Sequence, residues 1–333
     1  MNALERFDNA VKAYLSDLLS TGSSENTVKN YSKRLGYFRK YLDENKITVD
    51  PTSNEVRGWR DSLIDRGVSL KTVKQYLIEL KAFYEYATDE GINLYEKNPV
   101  SKRIIPKHSR SDDKPYDKIL DDIDMMLLWK NHAPKGSRYW ARNYAIVTLL
   151  LDGKIRNAEL LDMKLSDIDW EYGDVTIPKG KGNKYRVVSL SDISLTAIRM
   201  YLSSGIRPSY LSDDDYLFGT TAEHKFGGNR TGENWHRGTS QWLSKLVEKH
   251  VKDVTGKEGF RSHSLRHNGA RLDLNNGATL ERIQAELGHS SVQTTEIYAG
   301  RLQPKRHIAS AREVYAERDR CAQENLDRIS RLA

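Results

Sequence analysis

Residues 262–300 read SHSLRHNGARLDLNNGATLERIQAELGHSSVQTTEIYAG, and this stretch carries most of what the sequence indicates about fold and function. It contains His263, Arg266, His289 and Tyr298. A guanidinium group can bind phosphate oxygens, imidazole rings can carry protons, and a phenol can act as a nucleophile. Together these are the groups that phosphoryl transfer requires when the site uses no metal ion.

The pattern of this stretch predicts two helices. His263 and Arg266 stand at positions i and i+3, which places both side chains on one face of a helix. An Asn-Asn-Gly sequence then interrupts the pattern, and a second amphipathic helix is predicted over residues 280–287, with Gly288 as its C-terminal stop. His289 would therefore lie in an exposed turn directly after a helix end.

Each of these residues has an ordinary structural explanation when it is taken alone. A tyrosine packs in a core or on a surface far more often than it acts as a nucleophile, and a single histidine is more often a hydrogen-bonded structural residue. The combination is more specific. H-x-x-R, followed by L-G-H-S and T-T-x-x-Y, resembles the C-terminal signature of the tyrosine recombinase family, which includes the phage integrases and the Xer-like site-specific recombinases.

A second motif lies upstream, in the segment DGKIRNAELLDMKLSDIDW. It is similar to the first active-site box of that family, whose core is an apolar residue followed by Arg-x-x-Glu-Leu. The resemblance implies that Arg156 is the first phosphate-binding arginine and that Glu159, three positions later, orients it. The sequence departs from the family pattern at Lys154, Ile155 and Asn157, and none of these departures removes a catalytic group.

Residues 174–190, DVTIPKGKGNKYRVVSL, predict a strand, a glycine-rich turn and a second strand. The turn lacks the Walker pattern that binds nucleotide phosphates. In the family, the lysine of such a hairpin protonates the leaving oxygen. The resemblance therefore implies this role for Lys181, with Lys184 as the alternative.

Six side chains form the predicted catalytic set: Arg156, Lys181, His263, Arg266, His289 and Tyr298. The arginines would bind the scissile phosphate, His289 would hydrogen-bond to a non-bridging oxygen, and His263 would take or give the tyrosine proton. The chemistry would keep the bond energy in a 3′-phosphotyrosine and require neither ATP nor a cofactor. The sequence shows no acidic cluster spaced for divalent ions and no Cys/His zinc set, so a metal site is not predicted.

The N-terminal part predicts a bundle of helices over residues 3–21, from Asn26 onward, over 54–65 and over 69–91. Two of these helices begin alike, with the sequences TVKNY and TVKQY. The shared composition has an ordinary explanation in helix starts, but in the family such helices enter the major groove of DNA. The candidates for DNA contacts on these two helices are Lys29, Asn30, Lys74 and Gln75. No arm-site-binding module is expected before the first helix.

The resemblance implies a mainly α-helical fold with a small β-sheet: an N-terminal SAM-like core-binding domain and an α+β catalytic domain. We expect these domains at residues 1–100 and 117–303. Residues 101–116 read as a basic linker, in which Arg103 and Lys107 could contact a phosphate backbone.

Helices are also predicted over residues 119–129, over residues 139–151 and around residues 195–202. Two more helices are predicted nearer the C-terminus. One runs from Trp235 to Val251, in a region that shows no separate chemistry. The other lies in the tail, residues 304–333, and it could pack on its own domain or dock on another protomer, as happens in relatives.

The composition is consistent with a DNA-binding protein of the cytoplasm. The chain has 333 residues, with 53 Lys and Arg against 46 Asp and Glu. The resulting net charge of +7 is only a modest indication of a polyanionic partner such as DNA. A single cysteine, Cys321, excludes an internal disulfide and favours a reducing compartment. The sequence shows no secretion signal and no apolar run of about 18 residues.

The interpretation that follows is a site-specific recombinase acting on double-stranded DNA. The resemblance implies four protomers on two paired duplexes, strand exchange through a Holliday junction, and possible accessory DNA-bending or directionality proteins. Two alternatives stay open: a non-cleaving sequence-specific DNA-binding protein, and a type IB topoisomerase-like enzyme. The sequence does not distinguish integration from excision or from resolution of a mobile element or replicon.

Overall fold

The computed structural model describes residues 3–107, 118–130, 139–178, 186–221, 235–288 and 308–330. The chain divides into two compact units, Met1–Pro115 and Tyr116–Ala333, each with its own core.

The N-terminal unit is built from four helices: α1 (Ala3–Ser20), α2 (Glu25–Glu44), α3 (Ser53–Asp65) and α4 (Leu70–Ala87). Ser24, Thr52 and Ser69 cap α2, α3 and α4 by accepting backbone N–H groups of the first turn. Aromatic side chains fill the core, where the Phe7 ring lies 5.2 Å from the Phe83 ring in an edge-to-face pair. The predicted helical bundle is confirmed.

The packed part of this unit extends into the segment predicted as a linker. Val100 and Ile104 belong to the N-terminal core, and Ile104 is fully buried. Arg60 Nη1 donates to the Ile104 carbonyl oxygen over 3.3 Å. Of these two residues only Ile104 lies within the predicted linker, whose polar and basic composition gave no indication of its burial. Arg103 and Lys107 are exposed.

The described part of the C-terminal unit contains eight α-helices and a short 3-10 helix, Leu165–Asp167. The α-helices are α5 (Asp122–Trp129), α6 (Trp140–Leu151), α7 (Asn157–Asp162), α8 (Asp192–Ser203), α9 (Ser240–Thr255), α10 (Ser262–Asn275), α11 (Leu280–Leu287) and α12 (Ile308–Ser330). Almost every residue of α6 is buried, and this helix packs against α8, α9 and α10. Within the described ranges, no helix combines the length and apolarity that crossing a membrane would require.

A three-stranded antiparallel sheet lies in the same unit, in the order β1 (Ile168–Asp169), β2 (Asp174–Ile177) and β3 (Arg186–Ser189). The register pairs Ile177 with Arg186, which confirms the predicted strands on either side of the glycine-rich turn.

Two short strands, β4 (Gly219–Thr221) and β5 (Trp235–Arg237), form a second antiparallel pair. The prediction of a helix beginning at Trp235 is therefore wrong. The Trp235 indole N–H donates to the Tyr216 carbonyl oxygen over 2.8 Å, and its ring occupies the space left by the missing side chain of Gly219. The helix begins only after Thr239, whose hydroxyl caps α9.

The C-terminal helix α12 packs against α8 and α5 of its own unit. Val314, Cys321 and Ala322 are buried there. Asn325 Nδ2 donates to the Tyr144 hydroxyl over 3.3 Å. The structure therefore shows the helix docked within its own chain, and docking on another protomer stays a prediction.

Candidate active site

Arg156 and Glu159 form a closed pair at the start of α7. Arg156 is the N-terminal cap residue; its backbone N–H donates to Glu159 Oε2 over 2.9 Å and its Nη1 donates to Oε1 over 2.8 Å. The Glu159 side chain is only 4% exposed. The carboxylate is therefore buried and the guanidinium half-buried, unlike a solvated surface pair, and Glu159 fixes both the backbone and the guanidinium of Arg156.

A second arginine, from β3, binds the same carboxylate. Arg186 Nη2 donates to Glu159 Oε2 over 2.6 Å, and its Nη1 donates to the carbonyl oxygen of Glu286. Burial by itself raises the pKa of Glu159, but Arg186 and Arg156 outweigh that effect and hold the pKa below its usual value. Glu159 is thus ionised at neutral pH and forms ion pairs with two arginines.

Arg266 lies on α10 and is 2% exposed. Its guanidinium donates to the carbonyl oxygens of Lys154 and Leu287. Arg156 Nη2 donates over 2.6 Å to the carbonyl oxygens of Leu287 and Gly288. Both arginines therefore meet at the C-terminus of α11, where unpaired carbonyl groups and the negative end of the helix dipole favour cations.

Gly288 ends α11 in the left-handed conformation, with φ 56°, as predicted. A Cβ atom at this position would lie 3.3 Å from Arg156 Nη1 and 3.1 Å from Arg186 Cδ. Glycine is therefore favoured at this position by the left-handed turn and by the close approach of the two arginines. His289 follows directly in sequence and lies outside the described residues.

His263 is exposed in the first turn of α10, one turn before Arg266. Its Nε2 lies 2.6 Å from His267 Nε2, so one ring donates and the other accepts. Partial desolvation and the charges of Arg266 and Arg156 lower the pKa of His263 below its ordinary value. His263 is therefore neutral at pH 7 and can accept a proton.

Four predicted residues lie outside the described residues: Lys181, Lys184, His289 and Tyr298. The strands that flank the lysines are described, and Arg186, the first residue of β3, is bonded to Glu159. This end of the sheet therefore lies at the arginine cluster.

The predicted DNA-contacting residues of the N-terminal unit lie at its surface. Lys29 and Gln75 are exposed, whereas Asn30 and Lys74 are half-buried. Lys29 Nζ lies 3.3 Å from Glu25, and Gln75 Nε2 donates to Glu79 over 2.7 Å. In both helices these side chains stand close to the capped N-terminus.

Three residues at the site were not predicted from the sequence as functional: Arg186, His267 and Lys154. His267 could have been identified from the sequence, because it stands four positions after His263 on the same helix face. For Arg186 the only indication in the sequence was its place at the start of the strand predicted after the glycine-rich turn. Among the described residues, no cluster of three or more His, Cys, Asp or Glu side chains could hold a metal ion.

Comparison with protein-family models gives two matches. Residues 125–303 match the phage integrase family, and residues 11–91 match the phage integrase N-terminal SAM-like domain. The chain belongs to the phage integrase family. The fold class predicted from the motifs, a SAM-like helical domain followed by an α+β catalytic domain, is confirmed by the same matches and by the fold described above.

Similar proteins include tyrosine recombinases. Tyrosine recombinase XerC of Corynebacterium glutamicum is 35% identical over 199 residues, which is 60% of this chain and 58% of that protein. Tyrosine recombinase XerD of Listeria innocua is 28% identical over 289 residues, covering 84% of this chain and 90% of that protein.

Solved structures share the fold. The XerH site-specific recombinase bound to palindromic difH substrate has a TM-score of 0.65 at 23% identity, over 87% of this chain and 80% of that chain. A lambda integrase dimer bound to a core site has a TM-score of 0.62 at 18% identity, over 92% and 97% of the two chains. The predicted activity, breakage and rejoining of DNA as in tyrosine recombinases, is confirmed at the level of the family, and the non-cleaving and topoisomerase alternatives are not favoured.

Proposed function

We propose that this protein is a site-specific DNA recombinase in which Tyr298 attacks the scissile phosphate and forms a 3′-phosphotyrosine. The observation that carries the proposal is the convergence of Arg156 and Arg266 on the carbonyl oxygen of Leu287, two positions before His289. Arg156 and Arg266 belong to two separate motifs of the family signature, and they meet at this carbonyl oxygen.

The two arginines supply positive charge that can neutralise the scissile phosphodiester. Each guanidinium group carries a positive charge and a planar set of donors that matches phosphate oxygens, and Arg266 is almost completely withdrawn from water. A phosphate bound in such a setting is neutralised more strongly than in bulk solvent, and the charge that develops during attack is stabilised further. Since their orientation is set by α11 and by Glu159, little reorganisation is required when DNA binds.

His263 would act as the proton acceptor for the nucleophile. A phenol with a pKa of about 10 is only about a thousandth ionised at neutral pH, so its attack requires a base. The lowered pKa of His263 keeps its imidazole in the neutral form that can accept the proton. His289 would donate a hydrogen bond to a non-bridging oxygen, and Lys181 would protonate the departing 5′-oxygen.

The DNA partner is a duplex recombination site. XerH and the lambda integrase, which share this fold, are bound to their DNA sites in the structures compared above. In this chain the N-terminal helices would contact the duplex through Lys29, Asn30, Lys74 and Gln75, with Arg103 and Lys107 on the phosphate backbone. We further propose a tetramer on paired sites, acting in the cytoplasm with DNA, with accessory proteins as possible partners and the C-terminal segment as a candidate contact between protomers.

The test is covalent capture. The protein is incubated in EDTA with nicked duplexes tiled across the DNA that flanks its gene, and adducts are separated by denaturing electrophoresis and mapped by peptide mass. We expect an adduct at Tyr298 that disappears in Tyr298→Phe while DNA binding is retained. Tyr210→Phe is the matched control, because Tyr210 is 59% exposed in the same unit and should not affect the adduct.

An adduct that persists in Tyr298→Phe would assign the nucleophile to another residue. Binding of a duplex with no adduct under any condition would favour a non-cleaving DNA-binding protein. Relaxation of plasmids that lack the captured site would favour a topoisomerase.

A further inference from the structure

Lys154 is unusual in both its backbone and its side chain. It stands two positions before Arg156, with φ 51°, in the left-handed region that non-glycine residues rarely occupy. Its side chain is only 10% exposed, although lysine is seldom buried. A residue that is strained in its backbone and withdrawn from water persists only where the surrounding structure holds it.

The ammonium group of Lys154 joins three parts of the unit. Nζ lies 2.6 Å from Asp273 Oδ2 on α10 and 3.3 Å from Glu286 Oε2 on α11, and it donates to the Asp152 carbonyl oxygen over 2.8 Å. Burial by itself lowers the pKa of Lys154, but Asp273, Glu286 and Asp152 outweigh it and raise the pKa. The group therefore stays charged, and it ties the last turns of α10 and α11 to the loop after α6.

The same residue contacts the catalytic arginines through its backbone. The Lys154 carbonyl oxygen accepts a hydrogen bond from Arg266. Glu286, held by the ammonium group, is adjacent to Leu287, whose carbonyl oxygen accepts from both Arg266 and Arg156. Two of the acceptors that orient the arginines, the carbonyl oxygens of Lys154 and Leu287, are thus fixed directly or indirectly by this lysine.

We propose that Lys154 is a positioning residue for DNA cleavage: its ammonium group clamps α10 and α11 against the loop that leads to Arg156 and so holds both arginines in place for the scissile phosphate. The inference rests on the proposed function. Loss of the clamp would loosen the arginine geometry while leaving the DNA-contacting surface in place. Cleavage should therefore slow down much more than binding weakens, since small displacements of positioned groups strongly reduce rates.

The first test is the rate of adduct formation on the captured nicked duplex, with full-length protein in saturating excess. Lys154→Met should slow adduct formation about tenfold or more while DNA affinity changes by less than about threefold. The matched control is Lys257→Met. Lys257 also bonds two carboxylates, Asp121 at 3.0 Å and Asp124, but the contacts of its ammonium group do not include the arginine cluster, and its variant should cleave at the wild-type rate.

The second test uses the DNA-free protein and reads the pKa of His263 from the NMR titration of its ring. Arg266 lowers this pKa. Asp273→Asn removes a negative charge, and the direct effect of that loss would lower the pKa further. Displacement of Arg266 would instead raise it, and a rise is what the clamp predicts. Tyr315→Phe is the control, because it removes another hydrogen bond to Asp273 and leaves the contact with Lys154 intact.

These two tests separate the inference from the proposed function. If the wild-type protein forms no adduct, the proposed function fails, while the His263 titration still tests the clamp. A wild-type rate in Lys154→Met, or a lowered His263 pKa in Asp273→Asn, would overturn the positioning role.

Discussion

Glu159→Gln is the substitution whose effect the structure predicts most directly. The carboxylate is 4% exposed and accepts three hydrogen bonds, two from Arg156 and one from Arg186, whose side chains are 23% and 11% exposed. The amide keeps the shape of the side chain but loses the charge, and its NH2 group must face a donor. Two largely buried guanidinium groups are then left without a counter-charge.

The expected loss of stability can be estimated from measurements on buried ion pairs in general. Removal of one partner of a buried ion pair costs about 3–5 kcal/mol. Because Arg156 keeps some contact with water, we take the lower end, about 3 kcal/mol for the free energy of unfolding. In a unit of 150–250 residues this corresponds to a fall in Tm of roughly 6–12 °C.

The assay is differential scanning calorimetry of the full chain at pH 7, following the transition of the C-terminal unit. Glu258→Gln is the control, because Glu258 forms a surface pair with Lys252, its side chain is 69% exposed, and such pairs contribute little. A Tm loss in Glu159→Gln no larger than that of Glu258→Gln would refute the reasoning.

The pH dependence gives a second check on the same substitution. The pKa of Glu159 is lowered in the folded protein, so the unfolded chain binds the proton first as the pH falls. The stabilisation by Glu159 is therefore present above the unfolded pKa of about 4.3 and is lost as the pH falls through the lower folded value. The Tm gap between wild type and Glu159→Gln should be largest near neutral pH and narrow below about pH 4.

Two further predictions concern stability. Burial lowers the pKa of His250 to about 4, so between about pH 6.5 and pH 4 the unfolded chain binds a proton at this residue and the folded chain does not. The free energy of unfolding should therefore fall by about 2 kcal/mol between pH 7 and pH 5. Urea titrations of His250→Leu should show that most of this fall is gone. In Gly269→Ala, the new Cβ would overlap the carbonyl oxygen of Leu151, and we expect a loss of about 3 kcal/mol or more by thermal unfolding. Gly36→Ala, on a helix with open space around it, should instead gain about 0.5–1 kcal/mol, and equal effects of the two substitutions would contradict the close packing of α6 and α10.

The helices and the order of the candidate catalytic groups are properties of the local sequence. Helical periodicity and capping residues such as Ser24 and Thr239 depend on neighbours within a turn or two, and the structure places helices where most of these signals lie. Gly288 predicted the end of α11 for the same reason. The strand at Trp235 was missed because its partners are a remote carbonyl group and a glycine on another strand.

The sequence by itself predicted the candidate catalytic groups and the helices that carry the described ones, because family motifs and helical periodicity depend on short stretches of the chain. Only the tertiary structure decided what those groups touch. Arg186 shares Glu159 with Arg156 from 27 positions away, and Arg266 reaches the carbonyl oxygen of Lys154 across 112 positions. Such contacts depend on the packing of a strand and three helices, and the low dielectric of the buried site makes them strong.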